Sequence, residues 1–350
     1  MGSKDLKLGL STGLLSGAAP LADRREWVVE AERLGFDSVW SSETYGSDAL
    51  TPLAWWGSQT SRVKLGTSIV QISARRPTAT AMAAMTMDHL SGGRFMLGLG
   101  VSGPQVVEGW YGEPFAKPVA RTREYVSIVR DVIARREPVT SGGPHYPLPV
   151  SAREGITGLG KPLKSILHPL RERLPIYIAA EGPNNIALAA EIGDGWLPLY
   201  YSPYYDAELY RPCLEQGFAR RGGRPDGFEI APAVPLIVDD DVERAADVLR
   251  PMYALYFGGM GARSMNFHHQ VAVRMGYERE AAKIQDLYLE GKKDEAAAAV
   301  PMKLVQELAL IGPADKIRHD LEAWRDSLVT TILIAGPLQR LRQAAEIVLG

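Results

Sequence analysis

The chain has 350 residues, 46% hydrophobic and 23% charged, with a formal net charge of −2. This is the composition of a soluble globular protein, and its near-neutral charge gives no reason to expect nucleic acid or an anionic membrane as partner. One cysteine, Cys213, leaves no room for an intrachain disulfide or a cysteine-cluster metal site, and it reads as a helix or core thiol.

The start, "MGSKDLKLGLSTG", has no cleavage pattern, and no stretch approaches about 18 uninterrupted apolar residues. Neither a signal peptide nor a membrane span is expected, and the expected location is cytoplasmic. From there, short β-branched or apolar runs alternate with longer amphipathic stretches, the mark of βα units on a parallel sheet. In chain order the strand candidates are 7–12 ("KLGLST"), 37–42 ("DSVWSS"), 64–70 ("KLGTSIV") and 95–100 ("FMLGLG"). They continue with 176–180 ("IYIAA"), 195–200 ("GWLPLY"), 229–238 ("EIAPAVPLIV") and 330–336 ("TTILIAG").

Helical patterns lie between them at 21–34, 77–90, 121–136, 184–192, 204–220, 242–256, 314–326 and 338–348. Asp23, Pro77 and Pro313 suit helix starts, and Gly35 and Gly193 suit helix ends. A strand followed by a helix, repeated eight times, predicts a (β/α)8 TIM barrel; an open doubly wound sheet would usually use fewer strands. Two segments exceed a minimal barrel. The Pro/Gly-rich stretch 138–174 follows the fourth helix, and the mainly helical stretch 257–312 precedes the last helix–strand unit. Both read as insertions on the active face of one domain spanning 1–350, since neither carries a linker or a core of its own.

Residues 98–103, "GLGVSG", match G-x-G-x-x-G, the glycine fingerprint of a dinucleotide-binding turn. Such a turn needs its third glycine to open a helix and an acidic residue about 20 residues further on, at the end of the next strand. Here a Pro/Gly-broken stretch follows Gly103, and the next strand candidate begins near residue 176. The glycines instead suit the C-terminal end of a barrel strand where a flat cofactor or a phosphate approaches the backbone.

The loops after the strands share one face of a barrel, so residues distant in sequence converge there. Glu43 and Thr44 follow the second strand, and Arg75 and Arg76 follow the third. After the fifth, "AAEGPNN" opens a helix, with the N–H groups of Gly182, Asn184 and Asn185 available to an anion.

Three stretches carry a family resemblance: "GFDSVWSSE", "RVKLGTSIVQISARRPTATAMAAMTMDHLSGGRFMLGLGVSG" and "LPIYIAAEGPNNIALAAEIGDGWLPL". They resemble the bacterial-luciferase-like superfamily, and within it the coenzyme F420-dependent oxidoreductases of actinobacteria. The resemblance covers residues 6 to about 336. It implies a deazaflavin or flavin ring in the barrel mouth, with its phosphate tail running outward. Ser42, Glu43 and Thr44 would lie near the ring. Thr67, Ser68 and Ile69 match the strand-three bulge, where such enzymes have a cis peptide between non-proline residues. Val101, Ser102 and Gly103, together with Ala179, Ala180, Glu181, Gly182, Pro183 and Asn184, match the turns that hold ring edge, ribityl chain and phosphate.

Two departures stand out. The strand-two turn has Glu43–Thr44 and no histidine, and the strand-four turn has Gly103, Pro104 and Gln105 where related sugar-phosphate dehydrogenases have a glutamate. Glu43 is therefore the first candidate for the acid/base, with pairing to Arg75 or Arg76 as its alternative. Trp55, Trp56, Trp110 and Tyr111 could wall a substrate pocket or pack under helices. His268 and His269 could face substrate, although a solvated or core role is the commoner outcome, and His89 reads as structural. The Met- and aromatic-rich stretch 253–275 suits a bulky apolar substrate.

No His/Asp/Glu spacing suggests a metal site. The expected activity is F420-dependent hydride transfer to or from an apolar carbonyl, alcohol or enone, in a homodimer. The alternatives are an FMN-dependent monooxygenase fed by a separate reductase, and a non-catalytic flavin- or deazaflavin-binding barrel.

Overall fold

The computed structural model describes residues 5–13, 24–152 and 154–350. Eight parallel strands form the barrel: β1 (Lys7–Ser11), β2 (Ser38–Ser41), β3 (Lys64–Thr67) with its short continuation β4 (Val70–Gln71), β5 (Phe95–Gly100), β6 (Ile176–Ala179), β7 (Gly195–Leu197), β8 (Glu229–Ile230) and, after two intervening strands, β11 (Thr331–Ile334). The ladder runs β11-β1-β2-β3-β5-β6-β7-β8, and Leu8 pairs with Ile332 to join its last strand to its first. Between β8 and β11 the ring closes through residues 230–234. Thr330 N donates to Ile230 O (2.9 Å), Leu333 N to Pro232 O (2.9 Å) and Val234 N to Leu333 O (2.9 Å). The expected strand 229–238 breaks here because Pro232 and Pro235 have no N–H to give a ladder. Its second half is β9 (Leu236–Val238), which pairs in parallel with β10 (Leu310–Gly312) beside the barrel.

Strand periodicity sorts the core into two layers. On β5, Phe95, Leu97 and Leu99 face the outer helices while Met96 points into the lumen, and on β6 Ile176 and Ile178 face out while Tyr177 faces in. Trp40, Met96, Tyr177, Leu197, Ala231 and Leu333 fill the lumen, and Ile69 and Ala179 pack against them. The barrel is thus plugged, and only its ends offer room for chemistry.

The outer helices begin with α1 (Arg25–Arg33), α2 (Leu50–Gly57), α3 (Pro77–Leu90), α4 (Pro104–Gly109), α5 (Pro118–Ala134), α6 (Pro183–Ile192) and α7 (Arg211–Arg221). Asp23 lies outside the described residues. Pro77 takes the first turn of α3, Pro313 caps α14, and Gly35 follows α1 in the left-handed region at φ 88°. Gly193 ends α6 with extended backbone instead; a Cβ there would meet Ala189 O at 2.7 Å.

The insertion after β9 contains α8 (Val242–Asp247), α9 (Arg250–Ala254), a wide turn at Leu255–Gly259, α10 (Phe267–Arg274), α11 (Glu278–Leu289), α12 (Lys293–Ala298) and α13 (Met302–Leu308). It lies over the C-terminal face of the barrel, where Arg274 donates to Glu181 O (2.8 Å). Then α14 (Ala314–Asp326) and α15 (Leu338–Val348) complete the ring.

The segment 138–174 corrects the expectation of an active-face insertion. It climbs beside α5, where Glu124 accepts His145 N (3.1 Å) and Tyr146 N (2.5 Å), and descends to where Arg171 donates to Phe95 O at the start of β5 (2.6 Å). The reason is topological: a helix-to-strand connection has both ends at the N-terminal face of the barrel.

Candidate active site at the barrel mouth

The fingerprint glycines belong to the sheet and its mouth. A Cβ on Gly98 would stand 1.8 Å from Thr67 O, and one on Gly100 would stand 2.8 Å from the Ile69 side chain and 3.4 Å from Ala179. Gly98 thus serves close strand packing, and Gly100, Ile69 and Ala179 together form a floor of small groups and one aliphatic chain. The Ser68–Ile69 peptide is cis, as the resemblance implies. Beyond β5, Ser102 takes the left-handed conformation (φ 60°), unusual for a residue with a side chain, and Gly103 opens the short helix α4 rather than a broken loop.

The turn after β2 is a clamp. Glu43 is buried, and Arg75 Nη1 donates to both its oxygens (3.0 and 2.8 Å), Gln71 N to Oε1 (3.1 Å) and Ala49 N to Oε2 (3.3 Å). Burial alone would lower the Arg75 guanidinium, but its hydrogen bonds and charge pairing with Glu43 outweigh that and raise it. Gln71 Nε2 donates to Glu43 O (3.3 Å) and Thr44 O (3.0 Å), and Tyr111 reaches Thr44 O (3.4 Å). The alternative role foreseen for Glu43, pairing with Arg75, is therefore present in the geometry. Arg76 is exposed and touches Glu113 at 4.0 Å.

Among the described residues, Gly182 N and Asn184 N have no acceptor, whereas Asn185 N donates to Gly182 O (3.0 Å). Two of the three expected anion-binding amides are thus free at the start of α6, which is long enough for its dipole to favour an anion there. Two buried side-chain oxygens, Gln71 Oε1 at the end of β4 and Ser202 Oγ after β7, also lack a partner among the described residues. Thr67 and Ala180 are committed elsewhere: Thr67 Oγ1 exchanges hydrogen bonds with Gly98 N and O (both 2.9 Å), and Ala180 O accepts from Trp196 Nε1 (2.8 Å).

Glu181 follows β6 and meets a residue from the insertion, with His268 Nδ1 2.8 Å from Glu181 Oε1. The two are 87 positions apart, so no local pattern could announce the pair. The His268 ring stands steeply inclined to those of Tyr256 (ring centroids 5.0 Å apart, 70° between planes) and Tyr200 (5.7 Å, 84°). Both tyrosines are raised above the ordinary value: Tyr200 chiefly by burial, Tyr256 by burial and then by the charge of Glu181.

Exposed apolar side chains surround the site: Tyr45 after β2, Trp110 after α4, and Met265 and Phe267 on the insertion. Phe267 stands beside Phe115 (6.0 Å). Trp56 packs in the main core and Trp55 lies under Arg25 outside the barrel, so neither walls the mouth. His89 Nε2 is bound to His168 O (2.8 Å), and Cys213 lies half-buried in α7. Among the described residues no group of three or more His, Cys, Asp or Glu could hold a metal ion, and no helix is long and apolar enough to cross a membrane.

The family model described as luciferase-like monooxygenase matches residues 7–331. A protein of Mycobacterium tuberculosis, provisionally named a coenzyme F420-dependent oxidoreductase, is 53% identical over 346 residues, covering 98% of this chain and 99% of its own. Among solved structures, the coenzyme F420-dependent tetrahydromethanopterin reductase of Methanopyrus kandleri superposes with a TM-score of 0.78 at 21% identity, covering 99% of both chains. An F420-dependent secondary alcohol dehydrogenase, solved with an F420–acetone adduct, superposes at 0.76 with 18% identity over 98% of both chains.

Proposed function

The chain belongs to the luciferase-like monooxygenase family, and on that premise we propose that it is a coenzyme F420-dependent oxidoreductase acting on a bulky apolar carbonyl, alcohol or enone. The observation that carries the reading is the floor of the mouth. Ile69, Gly100 and Ala179 leave a small-residue surface beside free amides, suited to a flat ring with an anionic tail.

When bound, the deazaflavin supplies a hydride at C5. This chain's residues supply the rest. Ile69, Gly100 and Ala179 would back the ring, Ser102 and Gly103 its edge, and Gly182 N and Asn184 N the phosphate. The pairing of Glu43 with Arg75 holds the turn after β2 in place, a positioning role for Glu43. Tyr45, Trp110, Met265 and Phe267 give an apolar rim that would exclude water from the transfer, which supports a large apolar substrate over a small polar one.

The homodimer is part of this proposal. Met82, Thr86 and Leu90 project at i, i+4 and i+8 along α3, and Met82 and Leu90 are 61% and 74% exposed. Trp55 on α2 and Ile166, near the His89–His168 contact, extend the same apolar side.

Titrating the purified protein with F420 and with FMN tests the coenzyme. Saturable F420 binding without FMN binding is expected. FMN binding without F420 binding would replace this reading with a flavin monooxygenase that needs a reductase partner.

A further inference from the structure

We propose that His268, held by Glu181, is the group that gives and takes the proton accompanying hydride transfer; this rests on the coenzyme reading above. The pair stands over the ends of β6 and β7, on the same face as the Ile69–Gly100–Ala179 floor. Nδ1 is engaged by Glu181 (2.8 Å), while Nε2 makes no hydrogen bond among the described residues. The two side chains are 20% and 14% exposed, so the dyad is sheltered yet open to substrate and to proton exchange with water. A carboxylate on one ring nitrogen fixes the tautomer and leaves the other nitrogen to act.

The surroundings hold the ring still. Asn266 caps α10, accepting from His269 N (3.0 Å) and donating to Tyr256 O (2.9 Å) and Phe257 O (3.1 Å), so His268 projects from a fixed helix start. At the other end of α10, Arg274 donates to Glu181 O (2.8 Å). The charged and titratable groups around the dyad are thus Arg274, Tyr200 and Tyr256, with His269 turned to Phe257 O (3.3 Å). Both tyrosines stay protonated at neutral pH because burial raises them, and the oxygens of Glu43 are engaged by Arg75 and two amides.

In the reducing direction, the hydride of the reduced deazaflavin adds to the carbonyl carbon, the C=O π bond breaks and its electron pair moves to oxygen. The proton on Nε2 of the His268 imidazolium goes to that oxygen, leaving neutral imidazole with Nδ1–H still on Glu181. The substrate gains two electrons, the coenzyme is oxidised, and water returns the proton to Nε2. In the oxidising direction neutral Nε2 takes the alcohol proton.

The test uses wild-type enzyme, His268→Ala and Glu181→Gln with reduced F420 and a panel of 2-cyclohexen-1-one, 2-decanone and decanal. His268→Ala is expected to lower turnover by about 100- to 10,000-fold. Coenzyme affinity should stay within about twofold, because no coenzyme contact is assigned to His268. Added imidazole should restore part of the rate, which a merely structural role would not allow. Glu181→Gln should give a smaller loss. In the coenzyme-free protein, 15N NMR should place the His268 proton on Nδ1 in wild type and on a mixture of both nitrogens in Glu181→Gln.

Turnover within threefold of wild type in His268→Ala would overturn the dyad alone. Lost turnover together with lost coenzyme affinity and no imidazole rescue would also overturn it, in favour of a structural histidine. No saturable F420 binding by wild type would overturn the F420 reading and the dyad with it.

Discussion

The two ends of the barrel are built from the same residue types and differ in what is left unsatisfied. At the N-terminal end, Asp194 accepts from Arg130 (2.9 Å), Ile176 N (3.0 Å) and Arg173, and Arg221 stands 3.6 Å away. Glu229 joins Lys7 (2.6 Å) and Tyr177 (2.9 Å). A cleft of about 320 Å³ opens here, lined by Arg94, Arg171 and Arg173, but Arg171 is paired with Asp88, Arg173 with Asp194, and Arg94 donates to Ser91 O (2.8 Å), Val63 O (2.6 Å) and Thr60 O (3.1 Å). At the C-terminal end, two amides, one imidazole nitrogen and two buried oxygens have no partner among the described residues, whereas at the N-terminal end one buried oxygen, Thr331 Oγ1, is left without one. A second cleft, of about 800 Å³, lies beside α5, on the side of the barrel. Saturated networks stabilise a fold; unsatisfied groups converging on one face await a ligand.

That contrast predicts variants that separate stability from binding. The largest stability effect should come from Glu43→Gln, which leaves the Arg75 guanidinium only the more distant Asp48 (3.9 Å) as a charge partner. A loss of about 3 kcal/mol is expected in urea unfolding, with turnover at low temperature kept within about threefold. A hundredfold loss of turnover with intact stability would instead make Glu43 the acid/base.

Asp194→Asn, at the opposite end, should cost about 2 kcal/mol, discounted because its arginines are partly exposed. Coenzyme affinity should not change. Burial alone would raise Asp194, but the charge and hydrogen bonds of Arg130, the Ile176 N–H and Arg173 outweigh it, so its folded value lies below the usual 3.8. The stabilisation is therefore fully present above pH 3.8 and is lost as the pH falls through the depressed folded value. Below pH 3.8, stability should fall less steeply in Asp194→Asn than in wild type.

Ala179→Leu tests the mouth alone. Filling the floor should weaken F420 binding by roughly 10- to 100-fold, about 1.4–2.7 kcal/mol, with a smaller change in stability. Tyr177→Phe removes one hydrogen bond in the lumen near the closed end and should cost about 1 kcal/mol with unchanged binding. Smallest is Met82→Glu, which should alter monomer stability by less than about 0.5 kcal/mol. Light scattering should show it as a monomer if the apolar side of α3 joins two copies.

What the sequence announces and what it hides follow from range. Strands and helices are local patterns, so each barrel strand was legible, and 77–90, 314–326 and 338–348 have the expected bounds. Three short elements were not. Helix α2, "LTPLAWWG", carries a proline and ends on glycine, α4, "PQVVEG", lies in a stretch broken by proline and glycine, and β10 spans only "LIG" within a helical stretch. Pairings are non-local. Glu43 and Arg75, on adjacent strand ends, could be foreseen as partners, whereas Glu181 and His268 meet only because α10 folds back over the mouth. For that reason His268 reads from sequence as an ordinary core or surface histidine.

The most direct test of the mouth as the coenzyme site is a crystal structure of the protein with F420 and a ketone analogue of its substrate. It should show the deazaflavin ring on the Ser68–Ile69, Gly100 and Ala179 floor, its phosphate on Gly182 N and Asn184 N, and His268 Nε2 within hydrogen-bond distance of the ketone oxygen. A coenzyme seated in the cleft beside α5 or at the N-terminal end of the barrel would contradict the account.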